Sequence, residues 1–252
     1  MTINSEQLRK QAEELKFYGV LEHWHELTEG HYPWLLQLLN WEQTARQQRS
    51  LERRLSNTKL ERFKPLTEFD WQWPKKIDQQ AIHNLMQLDF LRQASNVILL
   101  GSNGVGKSTI AQNLAYTAIM HGHTALFTSA ANMLNDLAAV DGDNALRRRI
   151  KYYARPDFLV IDEVGYLSYS NRHADLLFEI INQRYEKRST LVTTNRPFAE
   201  WNEVFPNAAC VVSLIDRLVH HSEIIVIEGE SYRMKEAKEQ ATKRRTTKSK
   251  NK

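Results

Sequence analysis

Fourteen consecutive residues indicate the fold of this chain: Asn96-Val97-Ile98-Leu99-Leu100-Gly101-Ser102-Asn103-Gly104-Val105-Gly106-Lys107-Ser108-Thr109. The apolar run Val97–Leu100 predicts a short buried strand. The residues after it fit the phosphate-binding pattern G-x-x-x-x-G-K-[ST], and we expect a helix from Thr109 to Met120. A strand, a phosphate-binding loop and a helix in direct succession predict an α/β fold that binds a nucleotide.

The residue types of this loop suit the phosphates of a nucleotide. Glycines let successive backbone N–H groups point at one phosphate, and the N-terminus of the following helix adds a partial positive charge. Lys107 is expected to reach the outer phosphates, and the Ser108 hydroxyl to ligate Mg²⁺. The predicted nucleotide-contacting residues are Gly101, Ser102, Asn103, Gly104, Val105, Gly106, Lys107, Ser108 and Thr109.

Two further predicted strands end in polar residues. Asp162 and Glu163 follow the apolar run Phe158–Ile161, and Asn195 follows Leu191–Thr194. Ligands of α/β folds bind at the carboxyl edge of the sheet, so we expect Asp162 to hold Mg²⁺ beside Ser108. Glu163 is placed to polarise a water for attack on the γ-phosphate, and Asn195 to hydrogen-bond that water or the phosphate. These residues favour hydrolysis over a small-molecule kinase.

Length and composition limit the class of protein. The chain has 252 residues, of which 42% are hydrophobic, enough for one α/β domain and a smaller module. Its single cysteine, Cys210, excludes an internal disulfide and a cysteine-clustered zinc site. No apolar run reaches membrane length, and Met1–Gln7 lacks the order of a signal peptide. We therefore expect a cytoplasmic protein without membrane contact.

The order of signals along the chain predicts four regions. Residues 1–64 read as an all-α module, 65–74 as a linker, 75–234 as an α/β domain and 235–252 as a basic, disordered tail. Two expectations concern the ends of the α/β domain. A helix is predicted over Ile82–Phe90, and a β-hairpin over Glu223–Ile227 and Ser231–Arg233. A further strand is predicted at Thr124–Thr128.

Positive charge is concentrated at two places. The net charge is +4, yet the last twelve residues carry six basic side chains and no acid. This tail, with Lys243, Arg244 and Arg245, either lies along DNA phosphates or only keeps the chain soluble. Near the other end, the predicted helix places Arg46, Arg49 and Arg53 on one face. That face either follows a DNA backbone or is an ordinary solvated surface.

Two other candidates stay open or are disfavoured. Arg217, late in the predicted helix Val211–Val219, either stabilises transition-state charge in a neighbouring subunit or is a solvated or Asp216-paired arginine. The histidines of His121-Gly122-His123 and His220-His221 have no carboxylate or cysteine at ligand spacing. We therefore expect them to be surface or helix-end residues rather than metal ligands.

Taken together, the ordered motifs resemble a known family. They are the loop already quoted, the stretch from Leu159 to Leu167, Thr193-Thr194-Asn195-Arg196-Pro197-Phe198, Asp216-Arg217-Leu218 and Ser231-Tyr232-Arg233. The chain resembles the IstB family of transposition helper ATPases, relatives of the DnaC-type helicase loaders in the AAA+ class. This resemblance implies an AAA+ P-loop NTPase with a parallel sheet flanked by helices and a reduced lid, preceded by a small all-α module.

The resemblance also implies an activity and partners. Lys107, Ser108, Asp162, Glu163 and Asn195 would take the Walker A, Walker B and sensor 1 roles. Arg217 would be a trans-acting arginine finger and Arg233 a sensor 2 arginine. The implied activity is Mg²⁺-dependent hydrolysis of ATP to ADP and phosphate between subunits of a homo-oligomer on duplex DNA, in the service of a transposase. The alternative is a helicase loader, and the gene neighbourhood distinguishes the two.

Overall fold

The structure, a computed structural model, describes residues 4–60, 62–166, 169–206 and 209–237. The chain folds as two compact units, Met1–Arg54 and Leu55–Lys252, and the division between them falls within one long helix. Each unit contains its own cluster of buried hydrophobic side chains. Over the described residues, no helix combines the length and the hydropathy needed to cross a bilayer.

The first unit is helical. Its helices are α1 (Ser5–Glu14), α2 (Tyr18–Glu22) and α3 (Tyr32–Thr58), the last four residues of α3 belonging to the second unit. Asn4 begins α1 by accepting a hydrogen bond from the Glu6 N–H at 2.9 Å, which satisfies one of the free donors of the first turn. The apolar spacing of α1 and α3 places one stripe of each helix in a shared core. The buried residues of that core are Leu8, Ala12, Leu15, Leu35 and Leu39.

The second unit alternates helices and strands. Its elements are α4 (Gln79–Leu85), α5 (Asp89–Arg92), β1 (Asn96–Gly101), α6 (Lys107–Met120), β2 (Ala125–Ser129), α7 (Ala130–Ala138), α8 (Asp143–Ala154), β3 (Phe158–Val164), α9 (Asn171–Arg184), β4 (Ser189–Thr194), α10 (Trp201–Val204), α11 (Val211–Val219) and β5 (Ser222–Ile227). Strands β1 to β4 lie where the apolar runs predicted them.

The five strands of the described residues form one parallel sheet with the order β2-β3-β4-β1-β5. The central position of β1 explains its apolar sequence, because Val97, Ile98 and Leu99 are fully buried. In a parallel sheet every strand ends at the same edge, so the loops after β1, β3 and β4 lie side by side. This arrangement brings the three predicted polar clusters together.

Helices flank the sheet. Helix α6 contacts β1, β2, β3 and β4, whereas α7, α8, α9 and α11 share one hydrophobic cluster with residues of β2, β3 and β4. Within β3, Leu159 and Ile161 belong to that cluster, as the period of two in a strand requires. The α/β class and the parallel, helix-flanked sheet predicted from the sequence are confirmed.

Two local predictions were wrong. The expected helix Ile82–Phe90 is interrupted at Leu88, which adopts a left-handed conformation (φ 64°) and separates α4 from α5 while its side chain stays buried. The expected hairpin does not form either. Glu223–Ile227 lies in β5, which pairs in parallel with β1, and residues 232–237 are helical. Burial against β1 determines the partner of this strand, which its local alternation does not reveal.

Candidate nucleotide-binding site

The loop between β1 and α6 has the backbone of a phosphate cradle. Gly104 and Gly106 have φ values of 81° and 102°, a region that side chains disfavour. Space is also short there, because a Cβ on Gly104 would lie 2.2 Å from Ser231 Oγ and one on Gly106 would lie 2.4 Å from Phe69 Cε2. Helix α6 starts directly at Lys107, so its N-terminal N–H groups face the loop. Glycine is therefore required at both positions.

Lys107 lies at the centre of this loop. Its side chain is buried, and Nζ donates hydrogen bonds to the carbonyl oxygens of Gly101 at 2.7 Å and Ser102 at 2.8 Å. Burial lowers the pKa of the Lys107 ammonium group, while the carboxylates of Asp162 and Glu163 act in the opposite direction. Those two acids balance the buried charge, and an anion in the loop would stabilise it further.

Two oxygen ligands of the kind that Mg²⁺ prefers meet beside Lys107. Ser108 Oγ donates a hydrogen bond to Asp162 Oδ1 at 3.0 Å, and Asp162 is buried at the end of β3. A hydroxyl and a carboxylate at this separation fit adjacent positions around a Mg²⁺ ion. The structure thus brings together the pair of residues that the sequence predicted as metal ligands.

Glu163 owes its position to an irregularity in the sheet. The register of β3 against β4 shifts between Ile161 and Val164, and Glu163 adopts a left-handed conformation (φ 62°) there. The Glu163 N–H donates to Thr193 Oγ1 at 2.8 Å, and the same hydroxyl donates to Asp162 Oδ1. This double contact orients the exposed Glu163 beside the buried Asp162. Sequence reasoning missed Thr193, although Thr193 lies only two residues before Asn195.

A cleft of about 500 Å³ connects these groups. Lys107, Ser108, Glu163 and Asn195 all line it, which is consistent with the predicted juxtaposition of the three strand ends. Asn195 is half-buried directly after β4. The volume and the mixture of cationic, carboxylate and amide groups suit a nucleotide of ordinary size.

Aromatic side chains from two distant segments form the outer wall of the cleft. Phe69 and Trp73 come from the segment before α4, and Tyr232 comes from the residues after β5. Trp73 packs edge-on against Tyr232 with ring centroids 6.1 Å apart, and its Nε1 donates to the Glu230 carbonyl at 2.9 Å. The sequence predicted the first segment as a linker and did not indicate that it lines the cleft.

Charged residues connect the same two segments. Lys235 Nζ lies 3.1 Å from Asp70 Oδ2 and 4.3 Å from the centre of the Trp73 ring, and Lys64 Nζ lies 2.6 Å from Glu236 Oε1. The Lys235 ion pair lowers the pKa of the Asp70 carboxyl. The segment after β5 also contacts the loop directly, because the Tyr232 N–H donates to the Gly104 carbonyl at 2.9 Å. The chain after β5 is therefore part of the candidate site.

Comparison with known proteins identifies the family. The model of the IstB-like ATP binding protein family matches residues 10–241. The chain is 38% identical over 202 residues to the ATP-binding protein of insertion sequence IS21 from Pseudomonas aeruginosa, which covers 80% of this chain and 76% of that protein. The chain belongs to the IstB-like ATP-binding family.

Other comparisons agree with this assignment. The IstB-like chain is 33% identical over 211 residues to the ATP-binding protein of insertion sequence IS5376 from Geobacillus stearothermophilus, with 84% of each protein covered. Among solved structures, DnaI is similar with a TM-score of 0.53 and 18% identity, over 66% of this chain and 89% of DnaI. That likeness concerns the fold alone. The cleft is accordingly the candidate ATP site of the IstB-like chain.

Arg233 and Arg217 of the IstB-like chain lie in different surroundings. Arg233 lines the cleft, and its charge contributes to the lowered pKa of Lys107. Arg217 is not among the residues that line the cleft. Its guanidinium carbon lies 4.6 Å from the ring centre of Phe178, and its buried Nη1 has no hydrogen-bond partner among the described residues. The Asp216 pairing considered from the sequence is not found there.

The predicted DNA-contacting arginines of α3 differ in their surroundings. Arg46 lies beside Glu42, with Nε 2.5 Å from Glu42 Oε1, and donates to the Leu15 carbonyl at 2.7 Å. Arg49 Nη2 lies 3.6 Å from the same Glu42 oxygen, whereas Arg53 is exposed. The Arg46 hydrogen bond lowers the pKa of the Glu42 carboxyl. The other predicted DNA contacts, Lys243, Arg244 and Arg245, lie outside the described residues.

Proposed function

We propose that this protein is an ATPase that helps the transposase of an insertion sequence. The observation that carries the proposal is the presence of Glu163 in the same cleft as the phosphate loop. A carboxylate at that place can accept a proton from the attacking water. A protein that bound ATP without hydrolysing it would not need such a base. The insertion-sequence relatives support the biological setting.

Each residue of the cleft has its own role in the proposed hydrolysis of ATP. Lys107 and the N-terminus of α6 bind the phosphates, and Ser108 with Asp162 would hold Mg²⁺, which supplies charge neutralisation on the β- and γ-phosphates. Glu163 takes the proton of the attacking water while Asn195 orients that water or the γ-phosphate. Arg233 adds a second positive charge from the segment after β5. Five of these side chains line the cleft, and Asp162 is hydrogen-bonded to Ser108 at its edge, which supports these roles.

ATP in this proposal is shared between subunits. Arg217 lies outside the cleft of its own chain, rests on Phe178, and has a buried terminal nitrogen without a hydrogen-bond partner in the described part of the chain. An arginine in that situation suits contact with the γ-phosphate bound by a neighbouring subunit. ATP binding would then favour a DNA-bound homo-oligomer, and hydrolysis would release it. Among the α3 arginines, Arg53 is the most suitable DNA contact because Arg46 and Arg49 lie next to Glu42.

The alternative of a helicase loader is less well supported. The similarity to DnaI concerns the fold, whereas the relatives at 33% and 38% identity are proteins of insertion sequences. A transposase reading frame beside the gene is expected for the helper, and co-purification of the two proteins in the presence of ATP tests their association. A replicative helicase as the ATP-dependent partner would favour the loader instead.

The test of hydrolysis is Glu163→Gln. The amide keeps the size of the side chain and removes its basicity, so we expect ATP binding near that of the wild type and turnover lower by about 100-fold or more. Binding is measured with a fluorescent ATP analogue and turnover by phosphate release, both with and without duplex DNA.

A matched control separates this effect from a loss of carboxylate in general. Glu179→Gln changes a carboxylate of α9 whose Oε1 accepts a hydrogen bond from Gln183 at 2.8 Å, away from the cleft. We expect it to turn over ATP like the wild type. Equal turnover by Glu163→Gln and the wild type would contradict the role of Glu163 as the base.

A further inference from the structure

A second cluster of ligand-type side chains lies outside the ATP cleft. Glu186 follows α9, His220 follows α11, and His221 immediately precedes β5. One ligand atom from each residue lies within 4.8 Å of the other two. Sequence spacing indicated no carboxylate for the histidine pair, because Glu186 lies 34 residues upstream and only the packing of α9 against α11 brings it near.

The distances are close to those of a coordinated metal. Glu186 Oε1 lies 3.6 Å from His221 Nε2 and 3.9 Å from His220 Nδ1. Tetrahedral zinc with ligand bonds of 2.0–2.2 Å places its ligand atoms about 3.4 Å apart. The two carboxylate–imidazole distances exceed that spacing by about 0.2 and 0.5 Å, and the ligand atoms of the two imidazoles lie within 4.8 Å of each other.

Two close contacts surround the His220 ring. The Tyr185 hydroxyl lies 2.7 Å from His220 Nδ1, and the two histidine rings have centroids 4.0 Å apart. Nδ1 is also the His220 atom that lies 3.9 Å from Glu186 Oε1, so an ion bound there would take the place of the Tyr185 hydroxyl at that nitrogen. Glu186 itself adopts a left-handed backbone conformation (φ 55°). All three ligand side chains are about half exposed, so an ion and its water reach them from solvent.

We propose that Glu186, His220 and His221 form a zinc site that links the end of α9 to the start of β5. Two imidazoles and one carboxylate are a ligand set that Zn²⁺ accepts with water in the fourth position, whereas Mg²⁺ and Ca²⁺ prefer oxygen ligands alone. The ion crosslinks two segments that are 34 residues apart and stabilises the folded state by binding to it. The site is separate from the ATP cleft and binds metal without nucleotide.

The experiment uses the full chain without a polyhistidine tag, freed of metal by a chelator. ZnCl₂ is titrated by calorimetry in a buffer that contains excess Mg²⁺, which occupies oxygen-rich sites. We expect one Zn²⁺ per chain and an upward shift of the melting temperature, Tm. The same site should give Co²⁺ the intense visible absorption of four-coordinate geometry.

Variants distinguish this site from adventitious binding. His221→Ala and Glu186→Gln should each weaken Zn²⁺ binding by about tenfold or more and abolish the Tm shift. His220→Ala should act likewise, but it also removes the contact with Tyr185, so His221→Ala is the cleaner variant. The metal-free variants should match the circular dichroism of the wild type, because the three side chains are exposed.

The control is the double variant His121→Ala/His123→Ala, which removes another histidine pair of the same chain. It should bind Zn²⁺ like the wild type. The proposal is overturned if the wild type binds no stoichiometric Zn²⁺, or if His221→Ala and the His121/His123 double variant bind it equally well.

Discussion

Thr193 shows how a single hydroxyl positions the two acids beside the cleft. It is buried in β4, accepts a hydrogen bond from the Glu163 N–H and donates one to Asp162 Oδ1. Asp162 keeps a second partner in Ser108 Oγ. The buried Asp162 carboxylate and the left-handed Glu163 backbone therefore both depend on the side chain of Thr193. This makes Thr193 a positioning residue for both acids.

Replacing Thr193 by valine removes the hydroxyl and preserves the shape. We expect the free energy of unfolding to fall by about 1–3 kcal/mol, because the Glu163 N–H and Asp162 each lose a buried partner. ATP turnover should fall as well, since the Glu163 backbone is no longer held. Urea denaturation measures the first effect and phosphate release at saturating ATP the second.

Thr193→Ser is the matched control, since it retains the hydroxyl and loses only a methyl group. Its turnover should stay close to that of the wild type. Wild-type turnover in Thr193→Val as well would show that Glu163 is positioned without this hydrogen bond.

At the scale of the elements, one buried arginine joins α8, α9, β4 and the segment that leads into β3. Arg184, the last residue of α9, is 1% exposed. Its guanidinium donates to the carbonyl oxygens of Ala154 at 2.9 Å and Pro156 at 2.7 Å, to that of Ser189, and to Thr190 Oγ1 at 2.9 Å. Burial lowers the pKa of Arg184 to about 9. The carbonyl groups compensate for the lost hydration of the guanidinium charge. Through them, Arg184 connects the end of α8 with the start of β4, at the edge of the sheet opposite the cleft.

Arg184→Ala should lower the free energy of unfolding by about 3–5 kcal/mol, because several buried carbonyl groups lose their donor and a cavity remains. Urea denaturation followed by circular dichroism measures this change. Lys187→Ala, an exposed residue three positions later, should change stability by no more than about 0.5 kcal/mol. An Arg184→Ala protein as stable as Lys187→Ala would show that the guanidinium is dispensable.

For the whole molecule, the decisive question is whether a neighbouring subunit completes the proposed ATP site. Arg217→Ala retains Glu163, and Glu163→Gln retains Arg217, so each variant alone should hydrolyse ATP poorly. In an equal mixture, random assembly pairs an intact cleft with an intact arginine at about one quarter of head-to-tail interfaces. We expect turnover to recover to about that fraction of the wild type, measured by phosphate release after mixing.

The control mixture contains Arg217→Ala with the double variant Glu163→Gln/Arg217→Ala. No interface in it combines both groups, so turnover should stay at the level of the separate proteins. If the first mixture also shows no recovery, Arg217 does not act across the interface.

Features that depend on neighbouring residues could be predicted from the sequence. The order of strand, glycine-rich loop and helix around Lys107 is local, since apolar runs and glycine spacing act over a few residues. Asp162 and Asn195 could be placed at the cleft because both follow buried strands, and parallel strands end at one edge. The tail and the α3 arginines could be recognised as basic, but charge alone does not reveal a partner.

Features that depend on which segments pack together required the tertiary structure. The contact of Thr193 with Asp162 and Glu163 follows from the pairing of β3 with β4 and from a shift in their register. Tyr232 reaches the cleft because β5 runs parallel to β1, where its local pattern predicted a hairpin. Glu186 meets His221 because α9 packs against α11. Local spacing specifies the elements, whereas burial decides which of them become neighbours.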